Sequence, residues 1–440
     1  MDAYTTRALM IDRRATGAFA RMFGSAVVVQ ALLSATSLCV GLILIRRVSD
    51  EQYGFYVLTL NVVMLVTSLQ NAFIQSHMVV RMTGAAEAAR ADLIGGLYRE
   101  QRKLLPLIAI AAAAIVLICG VTGIFSRSAV YVALVGILAV LAALYREFLR
   151  MVLLAYRLPD RVLKADLLYA AVLIGGVWIA TSTPLPAVVA GFSLAAAAVL
   201  CGSVCQAALW RFKPWNIHGS PGILREIAPL GAWTASASAI HWLFSQGYNF
   251  LVAGTLGVTA VAAIAATRIL IMPVNLLSSG IGTLMLPTVS NWLRTQSAPK
   301  VLKRQFAIAG GMCVAALCYF GVLWLVRDWL FVHVLKKQLE SRDQLLLLWF
   351  GVGLLMLMRD QLLYLLLSRS RFRSLTVLTF LSAVISLATS YFGMRLIGPG
   401  GALVGVLMGE FVNVTGLVIL SFHEIRKPQS TVDVPVSAKT

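Results

Sequence analysis

Charged side chains inside long apolar stretches are the residues of this sequence best placed to do chemistry. Arg268 lies in the apolar segment 257–292. It is about 16 Å along a helix that begins at Gly257, near the middle of a hydrocarbon layer about 30 Å thick. A guanidinium at that depth is costly unless it pairs, meets water or binds an anion, so Arg268 marks a candidate substrate site. Pro273 and the run Ser278-Ser279-Gly280 should bend this segment around a water-accessible space.

Arginine-acid pairs recur in the two halves of the chain. Arg146-Glu147 and Arg359-Asp360 lie at equivalent places near the ends of two apolar segments, and Arg150 follows the first pair by one turn. Adjacent residues on a helix point about 100° apart, so we expect the partners of both pairs on other helices. Two interpretations remain open. The pairs form a charged inner rim that offers arginines to an anion and uses Glu147 and Asp360 in gating, or they fix helix depth at the membrane surface.

A stripe of polar side chains follows one face of the segment 228–254. Its members recur three or four residues apart and are Thr234, Ser238, His241, Ser245 and Asn249. The stripe either lines a cavity, with His241 and Asn249 in contact with substrate, or joins neighbouring helices by hydrogen bonds.

A face of small residues near the C-terminus has one acid next to it, inside an apolar segment. Gly401, Gly405 and Gly409 recur every four residues, which lets another helix approach closely. Glu410, beside them, lies close to the depth of Arg268. Glu410 therefore either faces the cavity and takes part in coupling, or pairs permanently with Arg268 and only stabilises the bundle. Proton coupling through Glu410, Asp360 or His241 is one expectation, and coupling to another ion or to the membrane potential is the alternative.

Composition limits the protein classes that fit. Apolar residues make up 59% of the chain and charged residues 12%, too little polar surface for a soluble protein. The formal net charge is +19, but the basic residues cluster between apolar runs, which indicates membrane topology rather than nucleic acid. The cysteines lie in apolar runs, the histidines are dispersed, and no Gly-Lys dipeptide exists for a phosphate-binding loop. We expect no catalytic residue, metal or cofactor, and no enzyme.

Hydropathy predicts an all-α polytopic membrane protein with about twelve transmembrane helices. The expected spans are 24–45, 54–78, 104–125, 129–156, 164–182, 185–210, 228–254, 258–290, 305–326, 344–368, 374–394 and 400–422. The Pro- and Gly-rich connection near 211–225 divides them into two six-helix lobes with pseudo-twofold symmetry, residues 1–215 and 216–440. Basic residues favour the connections that place both termini in the cytoplasm. The segment 327–343 should form a short external amphipathic element.

Three short motifs resemble the Wzx-type polysaccharide flippases. Residues 47–56 (RVSDEQYGFY) resemble that family's R-L-G-P-E-E-Y-G-x-Y element after the first span. Residues 266–273 resemble its basic residue with a proline five positions on, and residues 285–290 (MLPTVS) resemble its closing LFPxLS. Ser49-Asp50 departs from the family's Gly-Pro. The wider family is the multidrug, oligosaccharidyl-lipid and polysaccharide exporter superfamily, which shares a two-lobed fold.

The resemblance implies a flippase of the bacterial inner membrane. Its substrate would be an undecaprenyl-diphosphate-linked oligosaccharide for lipopolysaccharide or exopolysaccharide synthesis, and its partners membrane lipid and polysaccharide polymerase machinery, without nucleic acid. Arg268 would meet the crossing headgroup, with Arg146, Arg150 and Arg359 nearer the cytoplasmic entrance. Two alternatives remain. A multidrug exporter of the same superfamily would be expected to carry an acid in the first two spans, and a membrane polymerase or ligase would be expected to need a larger external loop.

Overall fold

The computed structural model describes residues 28–82, 85–213, 215, 219, 221–337, 339 and 341–426. Within these ranges the regular structure is entirely helical, which confirms the all-α fold class. Both chain termini, whose cytoplasmic location the sequence predicts, lie outside the described residues.

The first half of the described chain contains six long helices. They are α1 (Val28–Arg47), α2 (Asp50–Met82), α3 (Glu87–Val121), α4 (Arg127–Ala155), α5 (Pro159–Ala180) and α6 (Pro186–Phe212). A π-helical turn, Asn71–Gln75, interrupts α2. The helix α3 begins well before the expected third span at 104, because its polar first turns continue beyond the apolar part of the segment.

The second half contains eight helices, two of which continue a neighbour after a break. They are α7 (Ile223–Gln246), α8 (Tyr248–Thr255), α9 (Val258–Ile269), α10 (Met272–Thr295), α11 (Ala298–Leu325), α12 (Arg342–Ser368), α13 (Phe372–Ile397) and α14 (Pro399–Arg426). Two short helical turns, Arg327–Trp329 and Leu330–Leu335, lie between α11 and α12, where the sequence predicts a short amphipathic element.

The number of apolar spans is one lower than the sequence predicts. Ten helices of the described part are long and apolar enough to cross a membrane, and α9 with α10 makes eleven when that pair counts as one span. The expected seventh span, α7 with α8, is not among them, because its polar stripe lowers its hydropathy. The pair α9 and α10 bends by 59°, which confirms the expected break near Pro273.

Local sequence explains where several helices begin. Ser49 Oγ accepts a hydrogen bond from the backbone of Gln52 and caps α2, and Ser126 caps α4 in the same way. Pro159 and Pro186 occupy the first turn of α5 and α6, where no intrahelical donor is lost.

The expected close approach of a helix to the C-terminal glycines is present. A Cβ atom at Gly401 would lie 2.0 Å from the backbone carbon of Gly393, and one at Gly405 would lie 2.1 Å from Ser390 Oγ. The glycines of α14 therefore let α13 pack against it almost backbone to backbone. This contact holds α14, and Glu410 on it, in a fixed position in the second half.

The two halves of the chain are in contact at one end of the molecule. At the end predicted to be external, Gly54 lies so close to Val258 that a Cβ atom would be 2.2 Å from its carbonyl oxygen. At the same end Arg46 donates to the His333 carbonyl at 3.1 Å, and Lys337 pairs with Asp50 at 2.5 Å. We call Arg46, Asp50, His333 and Lys337 the latch.

The second half of α2 and the first half of α7 also join the two halves of the chain. Ser68 and Ser238 share a hydrogen bond of 2.7 Å, and Thr234 Oγ1 donates to the Ala72 carbonyl at 2.7 Å. Arg81 binds Glu226 with both terminal nitrogens, at 3.0 and 2.8 Å. For Thr234 and Ser238, therefore, the polar stripe joins helices.

Candidate functional site

Arg268 lies in the last turn of α9, directly before the break. Its Nη1 donates to Gln246 Oε1 at 2.6 Å and contacts the Tyr248 hydroxyl at 3.4 Å. Its guanidinium carbon lies 5.5 Å from the centre of the Trp349 ring. All three partners are neutral, and the side chain is half-buried. A cation at this place is also favoured by the carbonyl end of α9.

The positive charge of Arg268 is not neutralised by a carboxylate. Among the described residues no acid forms an ion pair with it, and Glu410 instead binds Arg359 at 2.5 Å. The alternative in which Arg268 pairs permanently with Glu410 is therefore wrong. The sequence predicted similar depths for the two residues, but Glu410 lies at the level of Arg359 on α12, whereas Arg268 lies at the level of Trp349. Arg268 thus keeps a net charge for an anion to meet.

Gln246 is a residue that sequence reasoning missed. It is buried, and its Oε1 also accepts from Asn249 Nδ2 at 3.3 Å. Asn249, which the stripe suggested as a substrate contact, is 2% exposed and holds Gln246 in place. The available signal was a glutamine inside an apolar segment, directly before Gly247, where α7 ends.

A second cluster lies on the same half. Arg359 binds Glu410 of α14 and also its neighbour Asp360, whose Oδ1 is 2.9 Å from Nη2 and 3.1 Å from Nε. Ser278 of α10 donates to the other Asp360 oxygen at 2.6 Å. Both residues have a partner on another helix, as expected, but they also pair with each other, because the long guanidinium folds back along its own helix. The cluster joins α10, α12 and α14.

His241 belongs to the surroundings of this second cluster. It lies within electrostatic range of Arg359 and Asp360, and its side chain is exposed on α7. The Phe244 ring, one turn along α7, lies 6.0 Å from the guanidinium of Arg359. One oxygen of Glu410 is buried without a hydrogen-bond partner among the described residues. The cluster therefore combines two carboxylates, one arginine and an accessible imidazole.

A third cluster, in the first half, is centred on Asp166. This carboxylate of α5 is fully buried and binds Arg146 at 2.5 Å and Arg150 at 3.0 Å. Glu147 binds Arg150 at 3.3 Å. Arg146 thus has its partner on another helix, as expected. Sequence reasoning missed Asp166, although an acid inside an otherwise apolar span twenty residues after Arg146 was the available signal.

The nine candidate residues therefore separate into three groups. Arg268 and Asn249 meet at Gln246, Arg359 and Asp360 meet with Glu410 and His241 nearby, and Arg146, Arg150 and Glu147 lie around Asp166. Trp349 and Arg359 are ten residues apart on α12, which separates the first two groups by about 15 Å along the helix axis. Only the first group offers a cation that no acid has neutralised.

Comparisons with known proteins identify the fold. No protein-family model and no curated protein match the sequence. Solved structures do. An inward-facing multidrug resistance transporter of the MATE family in the MOP superfamily is 15% identical, with 89% of this chain and 94% of that chain covered and a TM-score of 0.71.

Two further structures extend this likeness. The lipid II flippase MurJ in an inward closed conformation is 11% identical, with 90% of this chain and 89% of that chain covered and a TM-score of 0.73. An outward-facing MATE transporter is 14% identical over 93% and 95% of the two chains, with a TM-score of 0.62. The chain therefore has the fold of the transporters and flippases of the MOP superfamily.

Proposed function

We propose that this protein is a flippase that moves an undecaprenyl-diphosphate-linked oligosaccharide across the bacterial inner membrane by alternating access. The observation that carries the proposal is Arg268, a cation deep in the bundle whose partners are all neutral. A diphosphate carries the opposite charge and can accept two hydrogen bonds from one guanidinium. The fold shared with a lipid II flippase agrees with a lipid-linked substrate.

The neutral partners of Arg268 suit a transient anion. Gln246 and Tyr248 hold the guanidinium through hydrogen bonds that a phosphate can replace, whereas a carboxylate partner would compete with it. The aromatic face of Trp349 supports the cation without neutralising it. Arg268 is therefore the main headgroup contact, with Gln246 as its positioning residue.

The lipid tail can remain in the bilayer beside α10. Four leucines in the part of this helix that follows the break are exposed: Leu276, Leu277, Leu284 and Leu286. An apolar, accessible helix next to a polar site lets a headgroup enter while its tail stays in lipid. Ser278 joins this helix to Asp360, so the second cluster can respond to movement of α10. We assign Arg359, Asp360, Glu410 and His241 to coupling or gating on this ground.

A multidrug exporter is the second candidate, because the fold is shared with MATE transporters. A cationic drug needs an acid in its path. The acids of the described interior are held by arginines, Asp166 by two of them and Glu410 by one. The charge that stays unneutralised is Arg268, which would repel such a drug. The first candidate is therefore favoured by electrostatics.

A deletion strain distinguishes these functions. If the protein is a flippase, its loss should cause lipid-linked oligosaccharide to accumulate, detected only by labelling of the cytoplasmic leaflet. If it is a drug exporter, its loss should lower drug resistance without that accumulation. If it is a polymerase, its loss should leave unpolymerised units in the external leaflet. Normal lipid-linked oligosaccharide in the deletion strain would contradict the proposal.

Arg268 variants test the site in the same strain. Arg268→Ala should lower flipping about tenfold or more, because a charge-assisted hydrogen bond to the headgroup is lost. Arg268→Lys should keep part of the activity, since a point charge remains although the fork is lost. Arg395→Ala, an exposed arginine on α13, is the matched control and should be fully active. Full flipping by Arg268→Ala at normal abundance would remove Arg268 from the site.

A further inference from the structure

An apolar groove runs along the outer face of the second half, between α13 and α14. Its volume is about 460 Å³. Val377 and Leu381 of α13 form one wall, and Ile419 and Leu420 of α14 form the other. Polar side chains occur at one end only, where α13 begins. The groove therefore combines apolar walls with one polar end, as a binding site for an amphipathic ligand does.

Gly416 explains why a groove exists at this place. A Cβ atom there would lie 2.3 Å from Leu378 Cδ1, so α13 and α14 are in close contact beneath the groove. The side chains on either side rise away from that contact, with Val377 52% and Ile419 63% exposed. Because Gly416 has no side chain, the space between the exposed side chains of α13 and α14 is a channel that a flexible hydrocarbon chain can fill.

Arg373 lies at the polar end of the groove, in the first turn of α13, together with Ser374. The neighbouring arginines are engaged: Arg371 binds Glu424 at 3.0 Å, and Arg369 donates to the Glu424 carbonyl at 2.7 Å. Arg373 is exposed and forms no ion pair with any described residue. Its charge is therefore available where the groove meets the membrane surface that the loop charges predict to be cytoplasmic.

We propose that this groove binds an anionic glycerophospholipid, with one acyl chain along Val377 and Ile419 and the phosphate against Arg373 and Ser374. Basic side chains at the end of an intramembrane groove attract anionic headgroups. A zwitterionic headgroup carries its own cation, which competes with Arg373 for the phosphate. The site is separate from Arg268 and does not depend on the proposed function.

Native mass spectrometry of the purified full chain tests the charge. The protein in detergent is titrated with dioleoyl phosphatidylglycerol or dioleoyl phosphatidylcholine, which differ only in the headgroup. The unmodified protein should bind phosphatidylglycerol about fivefold more tightly than phosphatidylcholine, because one cation, Arg373, lies near the phosphate. Arg373→Gln should abolish this preference, and Arg395→Gln, near the other end of the same helix, should keep it. A preference that survives in Arg373→Gln would overturn the proposal.

A second pair of variants tests the groove. Val377→Trp fills it and should weaken binding of both lipids several-fold. Val384→Trp places the same side chain two turns further along the same face, outside the groove, and should bind as the unmodified protein does. Equal binding by the two tryptophan variants would overturn the groove assignment. Tighter binding of undecaprenyl phosphate than of phosphatidylglycerol, lost in Val377→Trp, would assign the groove to the carrier lipid and also overturn the proposal.

Discussion

Ion pairs divide the candidate arginines of the described interior into those held by carboxylates and Arg268, which remains available. Asp166 binds two arginines in the first half, whereas Arg359 binds two carboxylates in the second. The two arginine-acid pairs that the sequence places at equivalent positions therefore have different ion-pair partners in the two halves. Arg268 differs from all of these because its partners are neutral.

Asp166→Asn should destabilise the protein by about 3–5 kcal/mol, because it leaves the buried guanidinium of Arg146 without its carboxylate. Thermal unfolding in detergent measures the loss. Glu147→Gln is the control and should cost under about 1 kcal/mol, since Glu147 makes one contact at 3.3 Å with a partly accessible arginine. Unchanged unfolding of Asp166→Asn would mean that the arginines reach water and that the cluster is not structural.

Sequence reasoning found the arginines but not most of their partners. A charged residue in an apolar run is conspicuous, so Arg146, Arg268 and Arg359 could be selected from the sequence alone. Which acid meets which arginine depends on the rotation of each helix about its axis. A periodic pattern predicts that rotation only for strongly two-sided helices. Gln246 was missed for this reason.

At the scale of elements, the break between α9 and α10 is the feature that places Arg268 beside a bend. Pro273 removes the donor that would bond the Ile269 carbonyl, and the Tyr319 hydroxyl binds the freed Leu270 carbonyl at 2.8 Å. Arg268 therefore lies in the last turn of α9, close to the first turn of α10.

Pro273→Ala with Tyr319→Phe should partly straighten the 59° bend, because the backbone donor returns and the bond to Leu270 is lost. Spin labels at Ala260 and Leu286 report the change, since the distance between them increases as α9 and α10 align. Tyr364→Phe is the control for loss of a hydroxyl near α10 and should leave the distance unaltered. The same distance distribution in the double variant and in the unmodified protein would show that tertiary packing alone fixes the bend.

The bend was predictable because proline and the serine-glycine run both weaken a helix. The π-turn at Asn71–Gln75 was not, since no residue type there requires it. Its effect is local: it widens α2 where the Ala72 carbonyl accepts from Thr234 of α7. Contacts between halves, rather than local preference, therefore determine this irregularity.

On the scale of the whole molecule, the latch holds the halves together at one end. Asp50 stands where the resembled family has proline, and its carboxylate is the partner of Lys337. Lys337→Ala should raise the population open at that end by up to about fivefold, the effect expected of one partly exposed ion pair. Double electron–electron resonance between labels at Arg47 and Trp329 measures this population. The exchange Asp50→Lys with Lys337→Asp should restore it, and failure of the exchange would mean that the ion pair does not hold this end.

Orientation in the membrane is a separate prediction at this scale. Reporters fused after Thr440 should be cytoplasmic, and those inserted between Thr181 and Pro184, in the turn joining α5 and α6, should be periplasmic. Both signals are read in the same strain with an alkaline phosphatase and a fluorescent reporter. The reverse pattern would place the latch on the cytoplasmic side.

Hydropathy predicted the number and order of the long helices almost completely, because a bilayer requires about 20 apolar residues per span. The predicted seventh span corresponds to α7 with α8, although the polar stripe that contacts α2 makes this pair less apolar than the other spans. Hydropathy carries no information on the close contact of Gly54 with Val258, which depends on the way two helices cross. The fold was thus accessible from sequence, whereas contacts between the halves were not.

The distance between Arg268 and the Arg359 cluster determines how much the membrane potential can contribute to movement of a charged headgroup. The two levels are about 15 Å apart along α12, half of a hydrocarbon layer about 30 Å thick. A headgroup with two negative charges that moves outward between them crosses about half of the membrane potential. With the cell interior negative, that movement is favoured by about 2 kcal/mol for each 100 mV. On the proposed function, the spacing of two arginine levels lets the resting potential drive the headgroup outward.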